Sequence, residues 1–439
     1  MAEKFVIKGG KPLRGEVEIR GAKNAAFPIL AASLLTKEDC VVSNLPLIED
    51  VFQMLKILEE LGVKIFWIGR RTVKLNSFGV DLAKIPFATI KKFRGSILIL
   101  GPLISRFGEL KIPPPGGCLI GARPIDTHLD AFSQLGVDVS SKNGFYFFKS
   151  NGSRRSFASS FAKTSEDKKA SEGTEVVLRE FSVTATENTL LFSALCPQKT
   201  ILKIADLDYQ IQELVKVLIK MGADIKYSGP HCFEIIGAEK LNGFEYNLIS
   251  DPIEAGTFIV AALATKGEVL IKNVELEFLD LFLKRLKDFG AKFQILDKKT
   301  IKIFPSENLK IDKVQSLIYP GINSDLQPEL GVLATQTEGQ TLIHDPLYEG
   351  RLKYLDELNK MGADIVFCDP HRAIINGPSK LVGAEIPSPD LRAGAALIIA
   401  GLVAKGKTTI SNIYQIDRGY EKIEERLQKL RADIKRVKE

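Results

Sequence analysis

One motif recurs six times along the chain, and this repetition limits the fold more than any other property of the sequence. LEELGVKI ending at Ile65, FSQLGVDV at Val139, LIKMGADI at Ile225, LKDFGAKF at Phe293 and LNKMGADI at Ile365 each place a glycine between a helix-like apolar run and a β-like segment. LQKLRADI, ending at Ile434, is a sixth copy with Arg431 in the glycine's place. Glycine just past an amphipathic run lets the chain turn in the left-handed region and leave as a strand. Each copy follows a second, Ala-rich apolar run that also turns into a β-branched strand, such as VAALATKGEVLI or IAGLVAKGKTTI. The pattern predicts six α/β units of helix, strand, helix and strand, spaced by roughly 70 residues.

Composition narrows the class further. With 45% hydrophobic and 26% charged residues in 439, the chain can bury a large core, and disorder, collagen and disulfide scaffolds are excluded. The longest apolar run, around Ala393 to Ala404, falls short of the roughly 20 residues that cross a bilayer, so no membrane span is expected. The first ten residues lack the apolar stretch of a secretory signal, which predicts a cytoplasmic protein. Cys40, Cys118, Cys196, Cys232 and Cys368 are scattered and odd in number, as in a reducing compartment. The 60 basic residues are offset by 54 acidic ones along the whole chain, so the net +6 gives no concentrated basic face for nucleic acid. None of this sets an oligomeric state.

Residues 150–174, rich in Ser, Lys and Gly and without apolar periodicity, read as an exposed insertion in the third unit. All six units can be aligned on their helix-to-strand turns at Lys37, Gly108, Gln198, Gly267, Gly339 and Gly406. Fourteen positions before these lie Lys23, Arg94, Thr184, Ile253, Asp325 and Arg392, each at the expected start of an Ala-rich helix. Polar residues at helix starts often serve as caps. Basic ones oppose the helix dipole, and a shared anionic ligand explains Lys23, Arg94 and Arg392 better than helix stability does.

Gly401 to Thr408 matches the P-loop pattern G-x-x-x-x-G-K-[ST] by letter. A phosphate loop needs a strand before it and a helix after it, and here the predicted order is reversed. The histidines His128, His231, His344 and His371 are dispersed, and the Cys368–His371 pair beside Pro370 reads as a surface turn. Neither a metal nor a cofactor is expected.

PPPGGCLIGARPIDTH, from Pro113 to His128, is the most unusual segment. Its prolines and glycines exclude helix and central strand, which puts Cys118 on a hinged loop five residues before Arg123. Residue type and spacing leave Cys118 open between a packed thiol and a catalytic one. This segment resembles the UDP-N-acetylglucosamine enolpyruvyl transferases, as do GAKNAAFPILAASLL from Gly21, FRGSILILGPL from Phe93, SDLQ from Ser324, EGR from Glu349, DLRAGAAL from Asp390 and IDRGYE from Ile416.

The resemblance implies a two-domain inside-out α/β barrel, with three of the six units in each domain. Residues 1–21 and 249–439 would form one domain, and residues 22–248 the other. It implies transfer of the enolpyruvyl group of phosphoenolpyruvate to the 3-hydroxyl of UDP-N-acetylglucosamine, with Cys118 as general acid and Asp325 as base. By the same resemblance Lys23, Arg123 and Arg418 hold the phosphate of phosphoenolpyruvate, Arg351 and Arg392 its carboxylate, and Arg94 serves the same anionic pocket. Arg123, Pro124, Ile125, Asp126 and Thr127 match the uracil-binding stretch, Asn24 and Asp325 flank the sugar, Ser182, Val183 and Thr184 match the diphosphate turn, and Leu347 falls among the substrate-binding positions. Thr184 stands where the family usually has glycine, Glu180 where it is commonly basic, and Pro252 where it often has arginine. These departures keep a second reading open: the same chemistry on another nucleotide sugar or hydroxyl acceptor.

Overall fold

The computed structural model describes residues 3–116, 121, 124–150 and 173–438. Cys118, Arg123 and the 151–172 stretch of the insertion lie outside the described residues. The described chain divides into two compact units. One holds 3–22, Gly121 and 249–438; the other holds 23–116, 124–150 and 173–248. Each has its own hydrophobic core.

Both units place helices inside and sheets outside. In the first, helices Pro252–Ala264, Gln327–Ala334 and Leu391–Val403 pack on one another. Every residue of the first two is buried; they are apolar round most of their surface, and their few polar side chains are held by partners, as Glu254 is by Arg426 and Glu329 by Thr257. Helices Lys23–Ala32, Leu100–Phe107 and Val183–Ser193 occupy the same place in the second unit. The amphipathic helices of the repeat, such as Glu49–Glu60 and Tyr209–Met221, lead into the outer hairpins.

Six sheets follow from the six repeats. In Arg14–Glu18/Glu268–Lys272/Thr300–Ile303/Phe293–Asp297, the strand after the core helix pairs parallel on one side and antiparallel with a hairpin on the other. Period-two alternation sends Val17, Val269, Ile271, Ile301 and Ile303 to the buried face. The sheet of the sixth repeat is completed by the N-terminal strand Glu3–Lys8, which lies between Lys407–Ser411 and Asp433–Lys438. Phe244–Asn247 similarly pairs with Asp39–Ser43 in the other unit.

The turns behave as the repeat predicts. Gly62, Gly136, Gly222, Gly290 and Gly362 all have positive φ, and Arg431 adopts φ 68° at the equivalent point. The P-loop look-alike is a helix end followed by a strand: Gly401 lies within Leu391–Val403, and Lys407–Ser411 comes after. Cys368 and His371 flank the turn of the hairpin Asp364–Asp369/Arg372–Gly377. Among the described residues no Cys, His, Asp and Glu cluster suits a metal, and no helix is long and apolar enough to cross a membrane.

Candidate active site

All six positions found from the repeat arithmetic stand at the start of a core helix. Lys23 opens its helix, Arg94 opens the 3-10 turn Arg94–Ile99 that runs into Leu100–Phe107, and Thr184, Ile253 and Arg392 are second residues. Asp325 lies in the 3-10 turn Ser324–Leu326 before Gln327–Ala334. Its carboxylate does not cap that turn. Asn323 does, accepting from the Asp325 N–H at 2.9 Å, which leaves both carboxylate oxygens for side-chain partners.

Those partners are two buried arginines. Arg351 Nη2 donates to Asp325 Oδ1 at 2.9 Å and Arg392 Nε to Oδ2 at 3.0 Å. Both guanidinium side chains are 2% exposed, whereas that of Asp325 is 25% exposed. Burial works against the charge of Arg351, but Asp325, Asp390 and Asp345 outweigh it, and its pKa lies above the ordinary value. Arg392 is likewise raised despite burial, by Asp325, Tyr420 and Asp251.

Further groups fix these arginines in place. Arg351 Nε donates to Ser324 Oγ at 2.9 Å, and Ser324 and Ser316 both donate to Asp345 Oδ2, at 2.6 and 2.7 Å. Arg392 Nη1 donates to Tyr420 Oη at 3.2 Å, and Asp390 caps the Arg392 helix by accepting from its N–H and that of Ala393. Behind Arg392 lies Glu329, which accepts from Thr257 at 3.0 Å and is pushed up to about 7 by burial, with Arg392 pulling the other way. Arg392 Nη2 is buried and has no hydrogen-bond partner among the described residues. Arg418, after the short helix Tyr414–Asp417, donates to Gln415 at 3.0 Å, and Leu347 is exposed in the loop that Asp345 anchors through the Leu347 N–H.

A second group of candidate residues belongs to the other unit. Lys23 Nζ pairs with buried Asp50 at 3.2 Å and lies over the Phe27 ring, with Asn24 next to it on the same helix. Arg94 Nη2 donates to the Pro124 carbonyl at 3.4 Å, linking the first-turn cation to the segment that leads into helix Asp126–Gln134. Ile125 is buried just before that helix, Asp126 opens it, and Thr127 donates to Glu180 at 3.0 Å. Ser182 caps helix Val183–Ser193 by accepting from the Ala185 N–H, and Thr184 meets His128 at 3.0 Å. The sequence gives no sign of Asp50, Asp345, Glu329 or Tyr420, because each meets Lys23, Ser324 or Arg392 through the fold; Asn323, two residues before Asp325, is a local capping signal that the repeat arithmetic passed over.

The chain is similar to known proteins along almost its whole length. The family model described as EPSP synthase (3-phosphoshikimate 1-carboxyvinyltransferase) matches residues 7–427. UDP-N-acetylglucosamine 1-carboxyvinyltransferases from Coxiella burnetii strains RSA 493 / Nine Mile phase I and Dugway 5J108-111 are 37% identical over 435 residues, which is 99% of this chain and 96% of each relative. Among solved structures, the enolpyruvyl transferase NikO from Streptomyces tendae superimposes with a TM-score of 0.85 at 24% identity, covering 99% of both chains. EPSP synthase from Acinetobacter baumannii gives a TM-score of 0.75 at 19% identity over 100% of both. At those identities the two structures establish the fold, a two-domain inside-out α/β barrel. Taken with the near full-length relatives, the family match means that this chain belongs to the EPSP synthase family of enolpyruvyl transferases.

Proposed function

We propose that the protein transfers the enolpyruvyl group of phosphoenolpyruvate to the 3-hydroxyl of UDP-N-acetylglucosamine, releasing phosphate at the entry to peptidoglycan synthesis in the cytoplasm. The observation that carries this reading is a carboxylate, Asp325, set between two buried guanidinium groups in a chain 37% identical over 99% of its length to enzymes named for that transfer.

In the addition step the sugar oxygen bonds to C2 of phosphoenolpyruvate while C3 gains a proton. Elimination then removes a proton from C3 and breaks the bond from C2 to the phosphate oxygen. Asp325 takes the proton of the sugar hydroxyl, and Cys118, outside the described residues, delivers the one to C3. A carboxylate with a guanidinium on each oxygen is a weak base. The carboxylate of phosphoenolpyruvate competes for Arg351 and Arg392, and Arg392 Nη2 is a buried donor in want of an acceptor. Substrate binding therefore raises the basicity of Asp325 as it arrives. Lys23, Arg123 and Arg418 are assigned to the phosphate, with Arg94 in the same pocket. Asn24 and Leu347 are assigned to the sugar nucleotide, together with the 123–127 stretch and the 182–184 turn.

Two hydrogen bonds favour keeping the second reading, a different acceptor. Glu180 and Thr184, two of the departures from the family pattern, are tied to Thr127 and His128 at the acceptor side. A phosphate-release assay with phosphoenolpyruvate and a panel of UDP-sugars separates the cases. Release with UDP-N-acetylglucosamine supports the first reading, release with another UDP-sugar alone supports the second, and release with none sinks the first and leaves only an acceptor that is not a UDP-sugar.

A further inference from the structure

A chain of buried hydrogen bonds fixes the direction in which the Thr184 hydroxyl can donate. Asn188 Oδ1 accepts from the Gly101 N–H at 2.8 Å and its Nδ2 donates to the Ile97 carbonyl at 3.0 Å. A backbone N–H can only donate and a carbonyl can only accept, so these two bonds orient the amide. The second Nδ2 hydrogen then points to His128 Nδ1 at 3.1 Å, which must accept. His128, 2% exposed, is consequently neutral with its proton on Nε2, and that proton goes to Thr184 Oγ1 at 3.0 Å.

The hydroxyl of Thr184 accepts from His128, so its own proton must be given elsewhere. Thr186 and Thr189, on the same helix, donate to the carbonyls of Ser182 and Ala185 four residues back. Thr184 makes no such bond, and among the described residues its proton has no acceptor. The residue is partly exposed in the first turn of Val183–Ser193, beside the Val183 and Thr184 N–H groups, which have no partner within the helix. Glu180 accepts from Thr127 at 3.0 Å.

We infer that Thr184 is a specificity residue for the acceptor: its hydroxyl, oriented by the Asn188–His128 relay, donates to a phosphate oxygen of the nucleotide diphosphate. This rests on the reading above, that the 182–184 turn holds that diphosphate. In place of a bare backbone cradle, the turn presents one directed side-chain donor. A hydrogen bond to a charged oxygen is roughly twice as strong as a neutral one, so its loss is expected to weaken binding about tenfold or more.

The test is titration calorimetry of the full chain with UDP and with uridine, alongside steady-state kinetics. Thr184→Val is expected to weaken UDP at least about tenfold and leave uridine unchanged, and to raise the KM for the UDP-sugar with kcat and the KM for phosphoenolpyruvate unchanged. Thr184→Ser, which keeps the hydroxyl, is expected to stay within about twofold of the parent. Because valine strands the buried His128 proton and lowers stability, Thr184→Gly provides a second variant in which water can accept that bond. It too should lose affinity for UDP and not for uridine. If both variants bind UDP as the parent does, or lose uridine to the same extent, the inference about Thr184 is overturned while the transferase reading stands. If the parent itself binds no UDP, both fall together.

Discussion

Asp325 and Arg392, 67 residues apart, meet through a 3.0 Å bond from Nε to Oδ2. Arg351 takes the other carboxylate oxygen, so one acid neutralises part of two buried cations. Removing the acid leaves both guanidiniums with an uncompensated charge, which typically costs about 3–5 kcal/mol at a buried pair. Asp325→Ala should therefore melt well below the parent in a thermal scan. Asp325→Asn retains the shape and one acceptor and should melt closer to the parent, while phosphate release falls by roughly 10²–10⁴-fold. An Asn variant with undiminished turnover would remove Asp325 from the proton transfer.

Glu329 predicts a pH dependence of stability. Its pKa, about 7 in the folded chain against an ordinary 4.5, means that the folded state binds more protons than the unfolded state between those values. Stability is thus greatest below the unfolded pKa and declines as pH rises toward 7, by roughly 3 kcal/mol for this group. Glu329→Gln should flatten that slope between pH 4.5 and 7.5, as measured by urea midpoints. An unchanged slope would mean that Glu329 is ionised throughout.

Arg431 offers a stabilising substitution. At φ 68° it occupies the left-handed turn that glycine fills in the other five repeats. Arg431→Gly relieves the side-chain penalty of about 1–2 kcal/mol, offset in part by greater freedom of the unfolded chain. A net gain of roughly 0.5–1 kcal/mol is expected from denaturant titration. A loss of stability would show that the arginine side chain contributes more than its backbone costs.

The cysteines should differ in reactivity. Burial pushes the Cys40 and Cys196 thiols up to about 12, which leaves almost no thiolate at neutral pH, whereas Cys368 is exposed on a hairpin. Peptide mapping after brief iodoacetamide treatment is expected to find Cys368 modified and Cys40 and Cys196 intact. If Cys118 is the proton donor proposed above, fosfomycin, an epoxide that alkylates thiols, should add one mass increment at Cys118 in the presence of the UDP-sugar. Its absence would contradict the role proposed for Cys118.

The sequence revealed a good deal of this fold because each repeat carries its own punctuation. An apolar run, a glycine and a β-branched stretch are local signals, and counting back from each turn reached Lys23, Arg94, Thr184, Asp325 and Arg392 at helix starts. What was illegible is how those residues are held. Asn323 takes the capping position that Asp325 would otherwise fill, and Tyr420 and Glu329 reach Arg392 from other elements. The pairings of Tyr420 and Glu329 are set by how the helices pack, and no short-range pattern encodes them, whereas Asn323 is a local cap that counting from the turns overlooks. The acid and its two arginines could be located, but not the buried groups that hold the arginines in place.

Glu3–Lys8 is synthesised long before the strands it pairs with. Its partners, Lys407–Ser411 and Asp433–Lys438, follow about 400 residues later, an interval of roughly 20–80 s at ordinary rates of synthesis. Throughout that time Phe5 and Ile7, fully buried in the finished protein, have no sheet to enter. The 23–248 unit closes its own Asp39–Ser43 sheet with Phe244–Asn247 and can fold while its neighbour waits. In the cell this apolar strand thus needs shelter until residues 407–438 have been made.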